Sequence, residues 1–210
     1  METCLKGIKM KLIEQGYEII SLPENLLETL ENAGRTCYKS EDKITKESAP
    51  KFVKMLRDRG HHAMIEFGDI IVKFVTNRGV THEIVRHRLS SFAQESTRYV
   101  RYNGDMEFIR PVWFDDCRTE EIAVFERSLY NAEVSYKSLL DLGWRPEQAR
   151  EVLPNSLKTE IVWKANIREW RHIFNLRCSK AAHPQMRALM LPLLKELKEK
   201  LPIVFDDIKS

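Results

Sequence analysis

The segment FGDIIVKFVTN, residues 67–77, limits the fold more than any other stretch. Ile70, Ile71, Val72, Phe74 and Val75 are β-branched or aromatic, and so many in eleven positions read as a largely buried strand. TEIVWKAN, 159–166, has the same character. Both strands hand over to a helical period. VTHEIVRHR, 80–88, is long enough for one to two turns, and NIREWRHIFNLRC, 166–178, puts Ile167, Trp170 and Phe174 on one side. KLIEQGYEIIS, 11–21, reads as an early strand or hairpin and RYVRY, 98–102, as a further strand. Pro23 opens a helix around NLLETLENAG. A second helix is expected from Lys46 to Arg59, with Phe52, Met55 and Leu56 at helical spacing and Gly60 as the stop. A long stripe through Ile122, Phe125, Leu129 and Leu140 runs from Thr119 to Leu142 and ends at Gly143, and Pro146 starts a short helix closed by Pro154. The last helix holds Met186, Leu189, Met190, Leu193 and Leu197, with Pro192 predicting a kink. Strands and helices are mixed without βαβ alternation, so the expected class is α+β, in a single domain over residues 1–210.

Charge narrows the partners. Lys plus Arg number 34 against 31 for Asp plus Glu, and a net +3 gives no global reason to expect a polyanion. The positive charge is local, in RHRLSSFAQESTRY at 86–99, where only Glu95 is acidic. Cys4, Cys37, Cys117 and Cys178 lie far apart with no CxxC pair and no Cys/His zinc spacing, so reduced, packed thiols and no metal centre are expected. METCLKGIKMKLIEQGYEIISL is interrupted by Lys and Glu every few residues, and no apolar run suits a membrane span. A cytoplasmic protein is the expectation.

Arginine presents a permanently charged, planar fork that matches phosphate or carboxylate two bonds at a time. If 80–88 is helical, Glu83, Arg86 and His87 share a face while Arg88 lies about 200° around from Arg86. Two arginines pointing apart suit two anionic groups, or one pairs inside the fold and the other is solvated; the segment alone leaves both open. Ser90, Ser91, Ser96 and Thr97 lack a GxSxG elbow, which makes them phosphate donors rather than nucleophiles, with Arg98 adding a fork. Arg168, His172 and Asn175 form a second polar face, a solvated surface or a cleft wall that Arg150 and Arg177 extend. Cys178 beside arginine is either a thiolate nucleophile or a packed thiol. Adjacent His61 and His62 project to different sides of most backbones, so they do not suggest a shared metal, and no spacing gives Glu66 a ligand.

RHRLSSFAQES fits the RHRxxSxxxxS pattern of flavin-dependent thymidylate synthases, and Arg98 continues the match. GHHAMIE at 60–66, AREVLP at 149–154 and Asn166, Arg168, Asn175 and Arg177 follow in that family's order. The chain therefore resembles this family from about Gly60 to Arg177. The resemblance implies an antiparallel sheet flanked by helices, a homotetramer with active sites shared between subunits, and bound FAD. It implies conversion of dUMP to dTMP, with methylenetetrahydrofolate as carbon donor and NADPH reducing the flavin. It also implies no cysteine nucleophile.

Carried over by position, the resemblance gives FAD Arg86, His87, Arg88, Leu89, Gln94, Asn166, Arg168 and His172. It gives dUMP Glu83, Ile84, Val85, Arg86, Gln94, Glu95, Ser96, Thr97, Arg98, Arg150 and Arg177, with Ser96 and Arg98 from one chain and Arg150 and Arg177 from another. Arg177 is the expected catalytic cation beside the uracil, and His61 falls on the folate side. This chain has Glu83 where the family usually has glutamine, Ala93 and Gln94 for asparagine and glutamate, His172 for asparagine, and Ala63 in place of a hydroxyl. Two rivals remain at this level. One is a nucleic-acid surface built from Arg86, Arg88, Arg98, Arg101, Tyr99 and Tyr102; the other is a nucleotide hydrolase, for which no acidic metal cluster is visible.

Overall fold

A computed structural model describes residues 10–209, so Cys4 lies outside the described residues. The strands are β1 (Lys11–Ile13), β2 (Gly16–Ser21), β3 (Asp69–Asn77), β4 (Ser90–Gln94), β5 (Glu107–Ile109) and β6 (Lys158–Asn166). The helices are α1 (Leu26–Tyr38), α2 (Ser48–Asp58), α3 (Arg78–Ile84), α4 (Thr119–Asp141), α5 (Pro146–Ala149), α6 (Ile167–Arg177), α7 (Pro184–Lys200) and α8 (Pro202–Phe205). Four strands form one sheet in the order β2-β3-β6-β4. The N–H of Arg78 donates to Leu157 O at 3.2 Å, and that of Ile167 to Gly68 O at 2.9 Å. One strand's numbering falls as the other's rises, so β3 and β6 are antiparallel. The fold is α+β with an antiparallel sheet flanked by helices.

β1 is not the first arm of a hairpin. It pairs in parallel with β5, Leu12 opposite Phe108, while β2 joins the larger sheet. Nor is β3 buried on both faces: Ile70, Val72, Phe74 and Thr76 are fully buried and alternate with half-exposed Ile71, Lys73 and Val75. RYVRY contains no strand; the extended pairing falls earlier, on the serine-rich β4. α3 stops at Ile84, so His87 and Arg88 are not helical.

Two compact units divide the chain. Of the described residues the first comprises 10–16, 74–85 and 93–161. Its core gathers Met106, Phe108, Leu129, Tyr136, Leu140, Ala149 and Leu157.

The second comprises 17–73, 86–92 and 162–209. An aromatic column runs through it, with ring centroids 5.0 Å apart for Trp163–Trp170, 5.5 Å for Trp170–Phe174 and 5.7 Å for Phe174–Phe205. The Trp170 indole N–H donates to Ile70 O at 3.1 Å, satisfying the one polar atom of a fully buried ring. α2 ends as the sequence predicts. Gly60 adopts φ 72°, its N–H reaches Arg57 O, and the His61 N–H reaches Leu56 O at 2.9 Å. This closure starts the short 3₁₀ turn at His62–Glu66, which leads to Gly68.

Gly68 lies where α1 and the start of α6 meet the strand. A Cβ there would stand 2.1 Å from Leu26 Cδ1, and Leu26 is 1% exposed and has no room to withdraw. Gly68→Ala is expected to destabilise the protein by about 1–3 kcal/mol, read from urea melts, with Gly16→Ala as the open-space control.

Candidate functional site

Asn166 ends β6 and caps α6: its Oδ1 accepts the Glu169 N–H at 2.9 Å. Ile167, Trp170 and Phe174 are then fully buried, which leaves Arg168, His172 and Asn175 facing outward. These three do not face open solvent alone. Together with His62, Glu66, Leu89, Asn166 and Arg171 they line a cavity of about 540 Å³, and neither Arg150 nor Arg177 is part of its wall. Arg168 is paired with Glu66 at 2.6 Å and Arg171 with Asp207 at 2.7 Å, which fixes both guanidinium groups at the wall.

A second cavity of about 340 Å³ is lined by Arg86, His87, Arg88, Leu89, Glu169, His172, Leu176 and Arg177. Because the backbone is no longer helical at 87–88, Arg86 and Arg88 line this same cavity, and the 200° separation expected for a helix does not apply. Both are exposed and no acidic partner holds either among the described residues. Leu89 between the cavities is 74% exposed. His87 is the opposite case, 5% exposed and 5.3 Å from the Trp163 ring. Its Nε2 accepts from Arg177 Nε at 3.0 Å and its Nδ1 lies 3.3 Å from Glu169 Oε1. Burial first, then the charges of Arg177 and His172, push its pKa from 6.5 down to about 4.

A third cavity, about 500 Å³, is lined by Cys37, Tyr38, Gly60, His61, His62, Ala63, Met64 and Arg168. Both adjacent histidines line it, and His62 alone of the two also lines the first cavity. The Tyr38 hydroxyl and His61 Nδ1 lie 2.6 Å apart, a partner for His61 that no motif indicated.

The other expected residues fall in the first unit. Arg150 Nη1 donates to Thr97 Oγ1 at 3.2 Å, and Arg98 stands 3.8 Å from Glu147. Arg150 therefore groups with Thr97 of its own chain. Arg98 is exposed and its backbone N–H donates to Ser96 Oγ. The Gln94 amide donates to Thr81 and Thr159, at 2.9 and 3.3 Å, so its NH₂ is engaged inside the unit. Glu95 accepts from the Tyr102 hydroxyl at 2.8 Å. That bond and an edge contact with Tyr136 hold Tyr102 in the fold and remove it from the stacking surface a nucleic-acid reading needs. Ile84 is fully buried and offers a ligand only its backbone, whereas Val85 is 40% exposed. Glu83 is half-buried.

Cys178 is fully buried and burial pushes its thiol up to about 11, the state of an inert packed thiol. Sequence reasoning missed Glu169, Tyr38 and the Glu66 pairing; Glu169 sits in the capped first turn of α6, where an acidic residue needs no special explanation. Among the described residues, His87, Glu169 and His172 also bring potential metal-ligand atoms within 4.8 Å of one another. No helix of the described residues is long and apolar enough to cross a membrane.

Residues 18–203 match the family described as thymidylate synthase complementing protein. The chain belongs to this family. It is similar to the flavin-dependent thymidylate synthase of Geobacter sulfurreducens, 34% identical over 183 residues that cover 83% of this chain and 78% of the relative. Those of Mycobacterium avium and Corynebacterium efficiens are each 32% identical, covering 86% of this chain and 78% of the relative.

The depressed His87 pKa has a sign that stability must follow. Between pH 6.5 and about 4 the unfolded chain binds a proton that the folded chain refuses, so stability falls as pH drops through that window and the loss is complete below about 4. The loss attributable to this residue is on the order of 3 kcal/mol at most. Urea melts across pH 7 to 4 should show a shallower decline in His87→Gln than in the parent; parallel curves would contradict the buried, neutral imidazole.

Proposed function

We propose that the protein makes dTMP from dUMP, with bound FAD, a methylenetetrahydrofolate carbon donor and NADPH as reductant, in a homotetramer. The observation that carries the reading is the pair of unpartnered, exposed arginines, Arg86 and Arg88, lining one cavity with Arg177. Exposed cations concentrated in a concave wall repel one another, and an anion relieves that repulsion.

The donor set fits a flavin dinucleotide. Arg88, with Arg86 and the backbone of 87–89, supplies donors for a diphosphate, and exposed Leu89 offers an apolar surface to a ring. From the neighbouring wall Arg168, His172 and the amide NH₂ of Asn166 provide further donors, since the Asn166 oxygen is already the cap of α6. When bound, the flavin supplies the hydride that completes the methyl group. His87 remains neutral and serves to hold its neighbours, while the packed NH₂ of Gln94 shapes its strand.

For dUMP, Ser96, Thr97, Arg98 and Arg150 of one subunit take the phosphate, with Arg86 and Arg177 contributed by another. Glu83, Ile84 and Val85 reach the nucleotide chiefly through backbone, and Glu95 orients the segment through Tyr102 and Lys158. Arg177 stabilises negative charge developing on the uracil oxygens, so the pyrimidine is activated without a covalent thiol adduct. His61, held by Tyr38, lies on the folate side.

The direct assay is dTMP formation from dUMP by the purified protein. Arg88→Ala should chiefly lose bound flavin, read at the flavin absorbance band. Arg177→Ala should keep flavin and lose turnover by about 10²-fold or more. Equal flavin loss in both variants would undo the division of roles. Mixed tetramers reassembled from Arg98→Ala and Arg177→Ala chains should regain part of the activity that each parent lacks, because some sites then receive both arginines; verified mixed oligomers as inactive as either parent would contradict a shared site. Replacement of Cys178 by serine should leave substantial turnover in protein that folds and holds flavin, and abolished turnover there would contradict the thiol-independent mechanism.

A further inference from the structure

Glu169 is the third residue of α6, the position from which a glutamate commonly bonds back to the N-cap backbone. Its backbone N–H takes the Asn166 cap, but its side chain goes elsewhere, to His87. Glu169 is 7% exposed and His87 5% exposed, so a carboxylate meets an imidazole away from bulk water. On the far side of that ring stands Arg177, the last residue of the same helix. Residues 169 and 177 are eight apart, about 12 Å along the axis, and the one imidazole connects the first turn to the last.

The protons in this chain are determined by chemistry. Arginine Nε is always a donor, so the 3.0 Å contact requires His87 Nε2 to be the acceptor. A neutral imidazole with an accepting Nε2 carries its proton on Nδ1, and that proton points to Glu169 Oε1. A metal ion among His87, Glu169 and His172 would have to bind the protonated Nδ1. That would force the proton to Nε2, facing the Arg177 donor, so the same geometry opposes a metal there.

We infer that Glu169 is a positioning residue: by accepting the Nδ1–H of His87 it fixes the tautomer whose Nε2 holds the guanidinium of Arg177 at the cavity wall. This deepens the proposed role of Arg177 and rests on it. The bond at Nε fixes the plane of the guanidinium, which is what a planar fork needs to meet a ligand edge in register. Without Glu169 the Nδ1–H proton loses its acceptor and only the Arg177 contact is left to favour that tautomer, while the alternative tautomer sets an N–H against the Arg177 N–H.

The decisive experiment measures dUMP affinity of the flavin-loaded protein, read from the shift of the flavin spectrum on titration. Glu169→Ala should weaken dUMP about tenfold with flavin content unchanged, the scale of a lost hydrogen bond to a charged group. Glu169→Gln, whose amide oxygen still accepts from Nδ1, should recover most of that affinity. In an Arg177→Ala background Glu169→Ala should add nothing, because its effect passes through Arg177. An equal further loss in that background, or a Gln variant as weak as the Ala variant, would overturn the inference. Imidazole ¹⁵N resonances of the wild-type protein test the tautomer without any ligand: a proton on Nδ1 is expected, and a proton on Nε2, or stoichiometric zinc bound at His87, overturns it. A wild-type protein that shows the expected tautomer yet binds neither flavin nor dUMP would instead contradict the proposed function.

Discussion

Two asparagines at strand ends determine where the chemistry-bearing residues stand. Asn77 Oδ1 accepts the Val80 N–H at 2.8 Å and Asn166 Oδ1 the Glu169 N–H at 2.9 Å, so β3 and β6 each turn at once into a helix. A cap of this kind contributes about 1 kcal/mol, and its larger effect here is geometric. In the second unit it sets the rotation of α6, and that rotation buries Ile167, Trp170 and Phe174 while presenting Arg168, His172 and Asn175 to one cavity. A shift of one residue at the cap would turn the helix by about 100° and carry the polar face into the aromatic column.

The RHR motif works by contrast of burial. His87 is inside, neutral and bonded on both ring nitrogens, while Arg86 and Arg88 on either side are exposed. Burying the middle residue fixes the backbone from which two long, flexible cations extend, and this limits the entropy lost when they bind an anion. The cost of that burial falls on the imidazole, whose proton affinity drops. A histidine that remained charged would sit against Arg177 and add repulsion to a site already rich in cations.

The elements with a clear period were legible from sequence: α2, α4, α6, β3 and β6 all lie where side-chain alternation places them. The misreadings share a cause. β1 and β2 are close in the chain and look like a hairpin, yet Leu12 packs beside the core of Met106 and Phe108 and its strand pairs with β5. VTHEIVRHR has a helical pattern through residue 88, but the contacts of His87 with Trp163, Glu169 and Arg177 outweigh that local preference. The motif residues were legible through resemblance; the partners that hold them were not. Glu169, Tyr38 and Glu66 are separated from His87, His61 and Arg168 by 82, 23 and 102 positions, and no local spacing rule connects residues so far apart.

The central claim is that the wall bearing Arg86, Arg88 and Arg177 binds two anionic ligands, a flavin and a deoxynucleotide, side by side. The most direct measurement is the visible spectrum of the protein equilibrated with FAD, freed of excess by gel filtration and titrated with dUMP. The account predicts a retained flavin band that shifts saturably as dUMP is added. A colourless protein after filtration, or a flavin band that dUMP leaves unchanged at saturating concentration, would contradict it.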